Sequence, residues 1–267
     1  MLQTLPLPLS AIPRQSLHDI QLIFSYLDGT LTTDGKLLDS TFQSLWNLKR
    51  ANIPVILVTG RSLGWCEALL RLSPFTGAIG ENGAEFLKLS QYHLERFFFF
   101  STTQRERIFK KRSMLLRDLE KMFPNIAFAT DNHTRKYDIA IDHSEQNHAT
   151  SQEELERIKG FLKKWKVHYS VSSAHLNCWY GNVSKMAMIE KVLEKFFPSI
   201  KLSQCIYIGD SANDEGTFKS FELSIGVSNV RKYFSTMRHF PKYITSVDEG
   251  FGFEEVANIC LKKNKSL

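Results

Sequence analysis

Residues 53–58, Ile-Pro-Val-Ile-Leu-Val, are apolar at every position and end at Thr59-Gly60-Arg61-Ser62. A strand with one wet face alternates polar and apolar residues. A run apolar throughout reads instead as a strand covered on both faces, the pattern of a parallel sheet. Parallel neighbours require a crossover connection, usually a helix, and the flanking sequence supplies one on each side. Ile20 to Tyr26 reads as a strand closed by Asp28-Gly29-Thr30. Between the two runs, Asp39 can cap a helix that carries Phe42, Leu45, Trp46 and Leu48 on its apolar side. A second helix over 63–72 and a short strand over 77–80 follow. The alternation predicts an α/β fold built on a doubly wound, mostly parallel sheet.

The rhythm breaks after residue 86. From 87 to 182 short strand-like runs mix with two charged helical segments, 103–123 and 151–166, and from 183 the α/β alternation resumes. The expected organisation is a core formed by 1–86 and 183–267, interrupted by an α+β insert over 87–182.

Bulk properties narrow the function classes. With 43% hydrophobic and 23% charged residues the chain has the balance of an ordinary soluble domain. No apolar run approaches the length of a membrane span, and the proline-containing N-terminus lacks the basic start of a secretory signal, so a cytoplasmic location is expected. The net charge of +6 favours an anionic ligand. Lys and Arg crowd the segment 103–123, but Glu106, Asp118 and Glu120 interleave with them, which reads as a solvated helix face. No nucleic-acid or membrane partner is expected, and the oligomeric state is open. The four cysteines, at 66, 178, 205 and 260, show no metal-site spacing and read as reduced thiols.

Three polar segments fall where a predicted strand meets its following loop, the position at which open parallel sheets bind ligands. They are Tyr26-Leu27-Asp28-Gly29-Thr30, Thr59-Gly60-Arg61, and Gly209-Asp210-Ser211-Ala212-Asn213-Asp214. Lys185, at the start of a predicted helix, joins them. Carboxylates of this kind can hold a hard divalent cation, while hydroxyl, amide and lysine groups grip a phosphoryl group. Two carboxylates as close as Asp210 and Asp214 repel unless a cation joins them.

In this order and position the four segments resemble the haloacid dehalogenase superfamily, and most closely its Cof-like phosphatases with a type IIB cap. Gly80-Glu81-Asn82-Gly83-Ala84 before the insert and Asp138-Ile139-Ala140-Ile141-Asp142 within it extend the resemblance, which covers about residues 20–256. It implies phosphomonoester hydrolysis with Mg²⁺ on a small phosphorylated metabolite such as a sugar phosphate. Asp28 would act as general acid and base, with its carbonyl on the metal; Thr59 would hold the phosphoryl group and Lys185 would neutralise it. Asp210, Asn213 and Asp214 would form the rest of the metal site. Gly29, Thr30, Gly60, Arg61, Asn82, His175 and Asn177 would line the substrate cleft, and Arg135 and Lys136 could meet a phosphate.

One position departs from the pattern. Where the resemblance requires the aspartate that attacks phosphorus, this chain has Tyr26. A phenol with a pKa near ~10 is neither an anionic ligand nor a ready nucleophile at neutral pH. A second reading therefore stands beside the enzyme: a catalytically silent relative that binds a phosphorylated ligand or protein.

Overall fold

In the computed structural model, which describes residues 4–91, 93–145, 150–172 and 174–262, the apolar run lies in a strand buried at every position. In chain order, β1 (Leu7–Pro8) and α1 (Arg14–His18) precede β2 (Leu22–Tyr26), α2 (Asp39–Arg50), β3 (Val55–Val58), α3 (Leu63–Leu72) and β4 (Gly77–Gly80). A hairpin of β5 (Glu85–Ser90) and β6 (His93–Phe98) leads to α4 (Thr102–Met122), β7 (Asp138–Asp142), α5 (Gln152–Lys164), β8 (His168–Val171) and β9 (His175–Trp179). The chain returns through α6 (Lys185–Phe196), β10 (Cys205–Gly209), α7 (Glu215–Ser220), β11 (Leu223–Gly226), β12 (Tyr243–Ile244) and α8 (Glu249–Lys262).

The large sheet has nine strands in the order β1-β12-β11-β10-β2-β3-β4-β5-β6. It is parallel from β1 to β4 and antiparallel across the β5–β6 hairpin. Successive side chains of a strand point to opposite faces, and the core divides accordingly. Ile23, Val55 and Leu57 pack under α2, α3 and α8. Leu22, Phe24, Ile56 and Val58 pack under α6 and α7. Helices on both faces explain why no strand position could be polar.

Three details differ from the sequence expectation. The boundary at residue 87 cuts through β5, because the hairpin extends the large sheet to Phe98 and the separate insert sheet starts only at β7. The turn at Gln91 reaches positive φ (53°) without the Gly or Asn that usually announces a hairpin. Asp39 does not cap α2: Leu38 holds that position, and Asp39 is the first helical residue, accepting the Ser40 N–H at 2.9 Å. Its charge still favours the helix by lying at the positive end.

The insert is a three-stranded antiparallel sheet, β7-β9-β8, backed by α4 and α5. Ile139, Ile141, Leu176 and Cys178 face those helices and meet Leu115, Leu119, Leu155 and Ile158. Alternation therefore turns Asp138, Asp142, His175 and Asn177 to the opposite face, which lies over the core. All four cysteines are free and buried. Among the described residues, no helix is long and apolar enough to cross a membrane.

Candidate functional site

Strands β10, β2 and β3 run parallel in near-matched register, so Tyr26 stands beside Val58 and Ser25 beside Ile208. Their carboxyl ends therefore deliver the loops at 27–32, 59–62 and 210–214 to one edge of the sheet. From β2 the chain passes to β3 on one side, while β10 lies on the other. This is the switch point at which doubly wound sheets place ligands. Gly29 makes the first loop possible, with φ +70° and a missing Cβ that would lie 2.7 Å from Asp210 Oδ2.

The sequence-predicted residues converge here, but they face one another. Tyr26 is only 2% exposed. Lys185 Nζ lies 4.0 Å from the centre of its ring and donates to Asp214 Oδ1 at 2.7 Å. Burial, and then the charges of Asp28, Asp214 and Asp210, push the Tyr26 phenol well above its usual pKa. Position 26 thus carries a neutral ring at the place where the resemblance requires an anion. Asp214 also accepts from Tyr207 Oη at 2.6 Å and from the Asp210 and Ser211 N–H groups at 3.2 and 3.3 Å.

Asp28 is equally committed. Arg61 holds its carboxylate through Nε, at 3.1 Å from each oxygen, and through Nη2 at 2.8 Å. The same Nη2 reaches Glu145 Oε1 of the insert at 2.8 Å. Burial by itself would lower the Arg61 pKa, but the Asp28 and Glu145 carboxylates raise it. His175 completes the chain with Nε2 at 2.8 Å from Glu145 Oε2. The His175 contact, followed by Arg61, holds the Glu145 carboxyl down at about 2 against the opposing effect of burial. Asp210 accepts from Thr30 Oγ1 at 3.4 Å; burial, and then Asp214, raise its pKa well above the carboxylate range.

Several expected substrate contacts are engaged within the protein. Asn177 Nδ2 donates to Asp138 Oδ2 at 2.9 Å, and Asn82 Nδ2 donates to the same oxygen at 3.2 Å. Arg135, whose side chain is fully buried, binds Asp131 and Asp138 and donates to the Gly60 carbonyl at 2.8 Å. It is a structural arginine, not a free phosphate ligand. The Lys136 N–H donates to Glu81. Thr59 Oγ1 accepts the Arg61 N–H at 3.0 Å, and Asn213 Oδ1 accepts from Ser170 Oγ of β8 at 2.7 Å.

Two cavities flank Tyr26. One, of about 280 Å³, is lined by Asp28, Gly29, Arg61, Glu145, Asp210 and Lys232 among others. The second, of about 340 Å³, is lined by Asn82, Trp179, Lys185, Asn213 and Thr217 among others. Asp28 and Lys185, which the resemblance assigns to one reaction, thus face different spaces. Sequence reasoning missed Glu145, Ser170, Asp131 and Tyr207. Their roles come from contacts across 7 to 84 positions of chain, and no local motif marks them.

An open-edged α/β sheet with carboxylates, a lysine and a threonine at its switch point, under an α+β insert, has the architecture of a capped phosphoryl-handling hydrolase. Residues 23–240 match the haloacid dehalogenase-like hydrolase family, and the chain belongs to it. A phosphoglycolate phosphatase from Methanospirillum hungatei is 24% identical over 242 residues, covering 88% of this chain and 94% of that protein. A solved Thermoplasma acidophilum protein superposes with a TM-score of 0.71 at 16% identity, over 91% of this chain and 99% of that one. A HAD/COF-like hydrolase from Plasmodium vivax gives 0.66 at 18% identity, over 95% and 99%.

The family generally uses Mg²⁺. A hard cation needs oxygen donors free to face it, and here most of the inherited donors have protein partners. Asp28 is held by Arg61, Asp214 by Lys185 and Tyr207, and Asn213 by Ser170, while position 26 offers a neutral phenol. Asp210 is the one side-chain carboxylate of the set without a cationic partner. This donor set does not fit a resident divalent metal.

Proposed function

We propose that this chain is a phosphatase relative that binds a small phosphorylated or carboxylated metabolite at the cleft between core and insert, without turnover by the family's covalent route. The observation that carries the reading is the buried Tyr26 ring capped by Lys185 Nζ at 4.0 Å. The nucleophile is replaced, and the lysine that would stabilise an entering phosphoryl group is committed to the replacement and to Asp214. Losing a covalent nucleophile costs on the order of 10⁶ in kcat in a hydrolase triad. Binding of a small anion is supported by the net charge of +6, by Lys232 in the cavity wall and by the phosphoglycolate phosphatase relative.

The test is a phosphomonoester panel that includes phosphoglycolate and sugar phosphates, assayed with Mg²⁺ on the native chain and on Tyr26→Asp. The native protein should release no phosphate above background, while the variant should gain measurable hydrolysis. Comparable turnover in both would overturn the reading.

A further inference from the structure

We propose that Arg61 is the built-in cation of this site, doing for Asp28 and Glu145 what a bound divalent metal would otherwise do. The inference rests on the reading above and assigns the means by which the cleft is held together. The guanidinium is a planar fork with five N–H donors, able to serve two carboxylates at once. It meets Asp28 through three contacts of 2.8 to 3.1 Å and Glu145 through one of 2.8 Å. Asp28 belongs to the core loop after β2, and Glu145 to the insert. One cation therefore neutralises the core carboxylate and ties the insert to it. The Trp65 ring, 5.5 Å from the guanidinium carbon, adds a cation–π contact. The Arg61 side chain is 14% exposed and that of Asp28 20%, so the pair is shielded from much of the screening that weakens surface ion pairs.

A metal ion can be removed by chelation, whereas a covalently attached guanidinium cannot. The direct measurement is Mn²⁺ uptake by the native chain, followed by the electron paramagnetic resonance of the free ion, together with thermal melts in EDTA and in millimolar Mg²⁺. The native protein should take up no Mn²⁺ at micromolar concentration and should melt at the same temperature in both media. Arg61→Gln exposes Asp28 and Glu145 to one another. It should melt lower in EDTA and recover part of the loss in Mg²⁺, which is the signature of a carboxylate pair recruiting an ion. Arg61→Lys keeps the charge but loses the fork, and should fall between the two. Micromolar Mn²⁺ uptake by the native chain with a higher melting temperature in Mg²⁺ would overturn the proposal, as would an Arg61→Gln melt indifferent to Mg²⁺. The uptake measurement on the native protein decides the matter even where Arg61→Gln fails to fold. Phosphate release by the native chain without Mn²⁺ uptake would sink the proposed function and leave Arg61 its role. Mn²⁺ uptake without phosphate release would do the reverse.

Discussion

At position 26 the backbone belongs to β2, and the side chain alone determines what the strand end can do. Lys185 is bound to this ring and to Asp214, both buried, so its removal is a question of stability before it is one of chemistry. Breaking a buried ion pair from one side costs about 3–5 kcal/mol. Lys185→Met should lower the unfolding free energy by that amount in a denaturant titration, and a change of under ~1 kcal/mol would mean the pair is not a structural one. Gly29→Ala forces a Cβ to 2.7 Å from Asp210 Oδ2 at φ +70°, and a loss of about 1–3 kcal/mol is expected in the same titration. Tyr26, Asp28, Lys185, Asp210 and Asp214 were all legible in the sequence as members of one site. What each would touch was not, because a motif fixes the place of a side chain and leaves its partners to the rest of the chain.

Between elements, the junction of core and insert is made by a loop in an uncommon conformation. Glu81 and Asn82, just after β4, take φ of 43° and 57°. The turn sends the Glu81 carboxylate, 1% exposed, to the N–H groups of Lys136, Tyr137 and Asp138 at 2.6 to 3.3 Å. Burial, and then Asp138, raise its pKa to about 7 from 4.5, against those N–H groups and Arg135, which lower it. The folded state therefore holds this proton more tightly than the unfolded chain. The resulting stabilisation is complete below about pH 4.5 and is lost as the pH rises through about 7. The contribution of this group should appear as a melting temperature that falls between pH 5 and 8, and Glu81→Gln should flatten that stretch of the curve. An unchanged slope in the variant would assign the fall to another group. Sequence pattern reached the strands and helices on either side because their periodicity is local. It missed the β5–β6 hairpin, whose turn carries no Gly or Asn, and placed the boundary of the insert accordingly.

Over the whole molecule, two apolar layers sandwich the large sheet and a third fills the insert, but the seam joining insert to core is polar. Arg135 to Gly60, Glu81 to the start of β7, Arg61 to Glu145 and Ser170 to Asn213 all cross it. A seam made of buried, mutually satisfied polar groups is costly to open, because each separated partner is left unpaired. Insert and core should therefore behave as one cooperative unit. In native-state hydrogen exchange, the amides of β7 and those of β3 should share one opening free energy. Fast, independent exchange of β7 would show that the insert detaches on its own. Fold class was legible in full from strand and helix alternation. The closed seam was not, since it depends on which polar residues meet across it.

The Tyr26 ring also bears on the history of the site. Aspartate and tyrosine codons differ by one nucleotide, so the exchange at this position is a single mutational step in either direction. The step back is not neutral in the present surroundings. It would set a fourth carboxylate beside Asp28, Asp210 and Asp214, with Lys185 and Arg61 as the fixed cations and both already taken. The partners now wrapped around the ring act as a ratchet: a reversion that costs one base in the gene is opposed by several side chains in the protein.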